Sequence, residues 1–470
     1  MKTVYRPLPL ELRDTFTRTK SRMKTDLHIP ILHKKLGVAE LTPADLETLA
    51  AGLAAPENRL PEIVGALINV HKADYTDTRQ IRDKFAGMKL GLRREDGTVY
   101  LLCRGVPVDC LYDGQNVIWA ACEFISSAIR DIVFPPPGPE PGADSAAKSL
   151  ALRRFAEHAG VLYRGERNLV SFVWGGHRVG REEYEFAKEV AYWATLMLPH
   201  MEHITGCGEG IMKAPFKGAQ VAYAKQRTYQ RFGLRDFIGF TEKNILAAEP
   251  PNELVNRFVV YPCMEWRLEA FIRASHCGRA HPGGPGTVEE VLTMLAVLGD
   301  PANQGCGFAF DLVEREDSAY FTAFAEYLRA CFGKDLDRLY EIHRGAPAQY
   351  AATLAERARR TPTRYLWNED LRFDPRFQEP FEVSFASMEA LDLSRDQSPM
   401  DLLINLRRFF HAIVHVTVKD PDLLDSWGED RPRIRGDKAV LAATDRLVRR
   451  LAEQGRIHPN ADYAVPYRVG

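Results

Sequence analysis

Residues 282–290 read Pro-Gly-Gly-Pro-Gly-Thr-Val-Glu-Glu. Gly283, Gly284 and Gly286 allow a turn whose backbone comes close to another group, because no Cβ intervenes. The apolar run from Val291 to Leu298 has helical character. A glycine turn opening into a helix presents main-chain amides and the positive end of a helix dipole, and the natural occupant is a phosphate. Glu290 lies one turn into that helix. A carboxylate beside a phosphate cradle suits chemistry on the sugar of a nucleotide, where it offsets positive charge developing at the anomeric carbon. Thr287 and Glu290 also have the spacing of a capping box, which needs no ligand. A cap does not require three glycines, so both readings hold together: Thr287 caps the helix and offers its hydroxyl to phosphate.

Two more glycine turns precede this one. Gly206-Cys-Gly-Glu-Gly-Ile-Met212 is the first, and Gly175-Gly176-His177 the second. Either alone is a common strand–helix connection, and a lone His177 is more often structural than catalytic. Together they place Gly175, Gly176, His177, Gly206, Gly208 and Gly210 as candidates for nucleotide binding, with Cys207 as a wall residue. Met264-Glu-Trp-Arg267 sits on the helix before the 282–290 turn. An arginine there is ordinarily a solvated or ion-paired side chain. Its position makes Arg267, with Met264, a candidate neighbour of the site.

The elements that must position these residues follow a regular order. Short apolar strands are expected at 168–174, 203–205, 237–240, 258–261 and 307–313. Helices are expected at 181–198, 218–231 and 264–274, and from the 282–290 turn onward. Strands alternating with helices, with glycine turns at the strand ends, predict a doubly wound parallel sheet of Rossmann-like type. Ligands bind such sheets at the carboxyl ends of the strands, so the three glycine turns should face one crevice. The segment His276-Cys-Gly-Arg-Ala-His281 departs from this pattern, because Arg279 and His281 are poor residues for a buried parallel strand. Either that strand is short, or these side chains face the site or an interface.

Phe134-Pro-Pro-Pro-Gly-Pro-Glu-Pro-Gly-Ala-Asp144 is a linker that no helix or central strand can cross. It sets apart an N-terminal α+β domain, 1–145, with helices at 41–53 and 115–132 and a strand at 98–103. The α/β core is expected over 146–350. A C-terminal helical extension, 351–470, carries helices at 399–416 and 438–454.

The chain has 470 residues, too many for one ordinary core. With 45% hydrophobic and 27% charged residues and a net charge of −1, it reads as a soluble globular protein with no basic field for nucleic acid or an anionic membrane. The N-terminus lacks an apolar signal core and no segment is a membrane-helix candidate, so the expected location is the cytoplasm. The eight cysteines form no Cys-x-x-Cys pair and read as scattered reduced thiols. Nothing in these residues calls for a metal, pyridoxal phosphate or a redox cofactor.

The 282–290 segment resembles the signature of the "lonely guy" phosphoribohydrolases, often mislabelled as lysine decarboxylases. In that family an arginine on the preceding helix and the last glutamate of the signature are the catalytic pair, and Arg267 and Glu290 stand at those positions. Trp174 to His177, Thr205 to Pro215, Ala247 to Asn256, Arg267 to Phe271, Pro380 to Glu382 and Gly436 to Lys438 are similar to the bacterial pyrimidine/purine nucleotide monophosphate nucleosidases. The likeness covers about residues 165–470, and the N-terminal domain resembles theirs only loosely.

This resemblance implies hydrolysis of the N-glycosidic bond of nucleoside monophosphates, with Glu290 and Arg267 catalytic. Met264, Gly283, Gly284, Gly286, Thr287 and Glu289 would bind the nucleotide with the other glycine-turn residues. Trp174, Asn368 and Arg372 are candidates for the wall of the base pocket. It also implies a homo-oligomer, a tetramer, and a guanosine tetra- or pentaphosphate effector near Arg82, Lys84 and Lys89, which lie in a basic cluster that reads equally well as a solvated loop. Two alternatives stay open: a nucleotide sensor that cleaves nothing, and a phosphoribohydrolase for cytokinin-type nucleotides. The long flanking domains argue against the second.

Overall fold

The computed structural model describes residues 23–71, 78–162, 169–225, 236–360, 367–457 and 465–469. Its centre is a seven-stranded, wholly parallel sheet. The strands are β4 (Val170–Trp174), β5 (Glu202–Thr205), β6 (Phe237–Glu242), β7 (Arg257–Tyr261), β8 (Cys277–Ala280), β9 (Ala309–Glu314) and β10 (Glu341–Arg344), in the spatial order β10-β9-β8-β4-β5-β6-β7. This is the expected Rossmann-like, doubly wound α/β fold. The strand order reverses between β4 and β8, so the topological switch point, where such sheets open a crevice, lies there.

The N-terminal part of the chain supplies an antiparallel sheet, β1 (Lys24–Pro30), β2 (Lys89–Glu95) and β3 (Thr98–Pro107), in the order β1-β3-β2. Its helices include α1 (Pro43–Ala54), α2 (Leu60–Ile68) and α3 (Trp119–Val133). Thr42 opens α1 with a capping box: its side chain accepts from the Asp45 amide at 3.2 Å and its amide donates to Asp45 at 2.8 Å. Helix α3 starts later than periodicity suggests. Asp113 accepts from the amides of Gln115 and Asn116 and holds that stretch as a turn. Arg130 and Asp131, paired at 2.7 Å and buried, tie α3 to the sheet edge, because Arg130 donates to the Phe258 carbonyl and Asp131 accepts from the Val260 amide.

Beyond the linker come α4 (Ser145–His158), α5 (Arg181–Met197), α6 (Ala214–Lys225), α7 (Met264–Arg273), α8 (Pro285–Gly299), α9 (Tyr320–Phe332) and α10 (Pro347–Arg360). Residues 226–231 of the expected 218–231 helix, and Asn168 of the expected 168–174 strand, lie outside the described residues. The C-terminal part carries α11 (Pro399–Val414) and α12 (Lys438–Glu453), with three short strands, β11 (Asp392–Leu393), β12 (Arg433–Gly436) and β13 (Arg468–Val469). Helix α11 lies along α8, and one continuous apolar core joins the sheet, α8, α9, α11 and α12.

The anomalous strand is short, central and buried. Gly278 is forced by packing, since a Cβ there would overlap the ring of Phe172. Arg279 is wholly buried opposite Asp311 of β9 and donates to Ser171 Oγ at 3.3 Å; burial lowers its pKa. It faces neither the crevice nor solvent. Among the described residues no helix is long and apolar enough to cross a membrane.

Candidate active site

Main-chain hydrogen bonds stitch the three glycine turns together. The Gly176 amide donates to the Pro282 carbonyl at 3.1 Å, and the Gly176 carbonyl accepts from Ile211 at 3.1 Å. Gly210 has φ +64°, and a Cβ there would strike the carbonyls of Gly176 and His177. A Cβ at Gly283 would lie 2.7 Å from the Gly176 amide nitrogen and would overlap Thr287. These glycines let three strand ends converge. Above them opens a cleft lined by all three turns' neighbours and by the start of α8, a concave site of the kind that holds small ligands.

Gly175, Gly176, His177, Met264, Arg267, Gly284, Gly286, Thr287 and Glu290 all line this cleft. Helix α8 begins at Pro285, with Gly284 as its N-cap and no side-chain cap. The capping-box reading is therefore corrected: Thr287 already lies inside the helix. The amides of Gly286 and Thr287 have no acceptor among the described residues. They remain the open donors of a helix N-terminus, pointing where an anion would sit.

Glu290 is only 8% exposed and lines the cleft. It makes no hydrogen bond or ion pair among the described residues. Burial raises its pKa to about 8; Arg267 opposes the shift, and Glu289 and Glu249 add to it. Arg267 is 3% exposed and is fixed by an Nε bond to the Phe240 carbonyl at 2.9 Å. It too makes no ion pair among the described residues. Gly206 leaves the space its Nη2 occupies, since a Cβ there would collide with that nitrogen.

Several expectations are corrected. Glu289 does not face the cleft. One residue step along a helix turns a side chain by about 100°, and Glu289 is held by His411 at 2.9 Å and Arg407 at 3.1 Å, both on α11. Burial alone would raise its pKa, but His411 and Arg407 outweigh it and hold the group at about 2. Adjacent glutamates thus have opposite environments. Gly206, Gly208, Gly210 and Gly283 give clearance instead of lining the cleft, and the Gly176 amide is already engaged. Cys207 is fully buried at φ +61°, turned toward the N-terminal domain, with Asn252 donating to its carbonyl at 2.7 Å. Trp174 stacks on Phe172 with ring centroids 4.0 Å apart in the core. Asn368 and Arg372 pack at the far end of α7, where the Asn368 carbonyl accepts from Arg273 and the Arg372 amide donates to Asn303.

Other cleft residues escaped the sequence reading. Arg178, Met212, Ile245, Ala248 and Glu249 come from the α/β core; Val414, Thr417, Val418, Arg456 and Ile457 come from the C-terminal part. Arg178 adjoins a quoted motif and Glu249 lies within one, so their signal was present. Thr417 and Val418 sit on a π-helical turn, His415–Lys419, that extends α11 over the cleft. Buried Lys419 anchors that turn to Glu242 at 2.7 Å, and its carbonyl accepts from Thr78 at 2.8 Å. Away from the cleft, Asp311, Glu341 and His343 have the spacing of metal ligands. Arg357 already bonds Asp311 at 2.7 Å and Glu341 at 2.5 Å.

A parallel sheet with an open helix N-terminus at its switch point, and Arg267 and Glu290 beside it, defines the class: Rossmann-like proteins of the "possible lysine decarboxylase" type, a description whose family matches residues 212–334. A second family, described as "pyrimidine/purine nucleotide monophosphate nucleosidase, C-terminal", matches residues 352–470. The pyrimidine/purine nucleotide 5′-monophosphate nucleosidase of Escherichia coli strain K12 is 32% identical over 424 residues, spanning 86% of this chain and 91% of the relative. Proteins of the same name from the O6:H1 and O157:H7 strains match equally. The chain belongs to the pyrimidine/purine nucleotide monophosphate nucleosidase family. Among solved structures, the molybdenum cofactor binding protein of Rippkaea orientalis aligns with 41% of this chain and 97% of its own at 16% identity, with a TM-score of 0.29; so low a score carries no argument.

Proposed function

We propose that this chain hydrolyses the N-glycosidic bond of purine and pyrimidine nucleoside 5′-monophosphates. Water adds its oxygen to the anomeric carbon, the carbon–nitrogen bond breaks, and the base leaves with a proton; the other product is ribose 5-phosphate. The observation that carries this reading is Glu290, a buried carboxyl without a partner among the described residues, facing a cleft that also holds two open helix amides. As a carboxylate it offsets the positive charge of an oxocarbenium-like transition state. The open amides of Gly286 and Thr287 anchor the 5′-phosphate, so that remote binding energy positions the reacting bond. Arg267 stabilises the ionised form of Glu290 and is free to meet a ligand oxygen. Incubation with a panel of monophosphates should release base and ribose 5-phosphate in equal amounts. No release from any of them would end the reading.

The pH dependence has a definite sign. With a Glu290 pKa of about 8 in the free protein, the carboxylate fraction falls as pH drops below that value. We expect kcat/KM to decline on the acid side with an apparent pKa near 8, and Arg267→Met to move that limb to higher pH. A profile flat from pH 6 to 9 would remove Glu290 as the ionising group.

We also propose a homo-tetramer in a reducing, cytoplasmic setting. Tyr112 and Trp119, exposed near the start of α3, support an interface, and eight free cysteines support the compartment. A guanosine polyphosphate effector would have to compete for Arg82, paired with Asp422 at 2.7 Å, and for Lys84, paired with Asp109 at 2.9 Å; Lys89 is exposed on β2. Asp422 lies three residues beyond the turn that covers the cleft, in the short helix Pro421–Ser426, which gives such competition a route to the site. Calorimetric titration with guanosine tetraphosphate should show binding that Arg82→Ala weakens. An absence of binding heat would dismiss the effector.

A further inference from the structure

Three arginines line the cleft, and they divide by their surroundings. Arg267 lies with the carboxylates: its charge acts on Glu290, as does that of Glu249. The other two are Arg456, which is held by Glu183 from outside the cleft, and Arg178. Arg456 follows α12 and reaches back to the N-terminus of α8. The two segments touch so closely that a Cβ on Gly284 would overlap the Arg456 carbonyl. Its guanidinium is locked on three sides: Nε donates to Gln454 at 2.9 Å, Nη2 donates to Glu183 at 2.5 Å, and the plane lies 5.2 Å from the Tyr320 ring centroid. The remaining nitrogen, Nη1, is buried and has no partner among the described residues. A buried guanidinium nitrogen without an acceptor is costly unless a ligand supplies one. Arg178 lies directly after the Gly175–His177 turn and also borders the cleft. Burial lowers its pKa.

We infer that Arg456 and Arg178 form, with the open amides of Gly286 and Thr287, the clamp that reads the 5′-phosphate, so that the C-terminal segment after α12 sets the preference for nucleotides over nucleosides. The inference rests on the nucleosidase reading above and names the phosphate-specific part of the same site. The chemistry fits a dianion. A phosphate monoester presents three equivalent oxygens: two helix amides take one side, and Arg456 Nη1 and the Arg178 guanidinium take the rest. The clamp and the Glu290–Arg267 pair then hold opposite ends of one ribose 5-phosphate unit. The α/β core supplies Arg178 and the two amides, and the C-terminal part completes the clamp with Arg456.

The test uses full-length Arg456→Met and Arg178→Met, with inorganic phosphate as the probe. A charge-assisted hydrogen bond contributes about 1.5–3 kcal/mol, or roughly 10- to 100-fold in binding. Each variant should raise KM for monophosphates and the inhibition constant for inorganic phosphate in parallel by about that factor, with a smaller change in kcat. Arg456→Lys should recover part of the loss. Unchanged KM and unchanged phosphate inhibition in either folded variant would overturn its arginine's place in the clamp, as would a loss confined to kcat. Should Arg456→Met fail to fold because Glu183 loses its partner, Arg178→Met and Arg456→Lys still decide the matter. The stabilisation of the folded protein by inorganic phosphate provides a readout independent of turnover: it should raise the wild-type Tm and raise those of the variants less. A wild-type protein that is stabilised by phosphate yet releases no base would sink the nucleosidase reading and leave the clamp standing.

Discussion

Glu290→Gln should lower kcat for base release by about 10²- to 10³-fold while the protein remains folded. The magnitude is that of removing one preorganised electrostatic group from a water-poor site. The fold should survive because Glu290 makes no hydrogen bond or ion pair among the described residues, and glutamine has the same shape. Stability should in fact rise at high pH. In the unfolded chain the carboxyl has its ordinary value of 4.5, whereas burial in the folded chain moves it to about 8. A raised carboxyl favours the folded state while protonated; that contribution is intact below pH 4.5 and is lost as pH climbs to 8. The neutral variant is spared that loss. It should therefore exceed the wild type by a few kcal/mol above pH 8, with the difference vanishing near pH 4. Denaturant titrations at the two pH values measure this directly. A variant that keeps wild-type kcat would exclude Glu290 from the chemistry, and one that is destabilised at pH 8.5 would show that the carboxylate is structural.

Lys419→Met should be the most damaging single change away from the reacting groups. Lys419 and Glu242 are paired at 2.7 Å and almost wholly buried. Removing the lysine leaves an uncompensated buried carboxylate, which costs about 3–5 kcal/mol. Burial would raise the pKa of Glu242, but Lys419 outweighs that effect and the value lies below the ordinary range. In the variant the shift should reverse. The wild-type pair contributes above the ordinary carboxyl value of 4.5 and is lost as pH falls, so the deficit of the variant should narrow in acid. The double variant Lys419→Met/Glu242→Leu should recover much of the loss, as apolar replacements of buried pairs often do. Because Lys419 holds the turn that places Thr417 and Val418 over the cleft, KM should rise as well. Equal stability of wild type and Lys419→Met at pH 7.5 would show that the pair contributes nothing.

The positions of the catalytic candidates were legible because local rules govern them. Glycine turns at strand ends, an apolar helix after Gly286 and the alternation of strands and helices all act over a few residues. Glu289 could not be separated from Glu290 in this way. Their different fates depend on α11, more than a hundred residues later, which takes one glutamate into a buried network with Arg407 and His411 and leaves the other open to the cleft. The π-turn at His415–Lys419 escaped for a similar reason: it prolongs the apolar helix α11, and its anchors, Glu242 and Thr78, belong to distant segments. Trp174 shows the opposite failure. An aromatic beside a glycine turn looks like a base-stacking wall, yet its ring is spent on Phe172 in the core. The N-terminal sheet was read only in part, as the single strand at 98–103. Of its partners, β2 has no buried residue and β1 buries only Leu27 and Ile29, so neither gives more than a short alternation.

The most direct measurement is a crystal structure of Glu290→Gln soaked with a nucleoside monophosphate. The ligand should lie with its anomeric carbon about 3–3.5 Å from the residue 290 side chain. Its phosphate oxygens should lie about 2.7–3.2 Å from the amides of Gly286 and Thr287. A nucleotide bound with its sugar remote from residue 290, or with its phosphate away from the start of α8, would contradict the account.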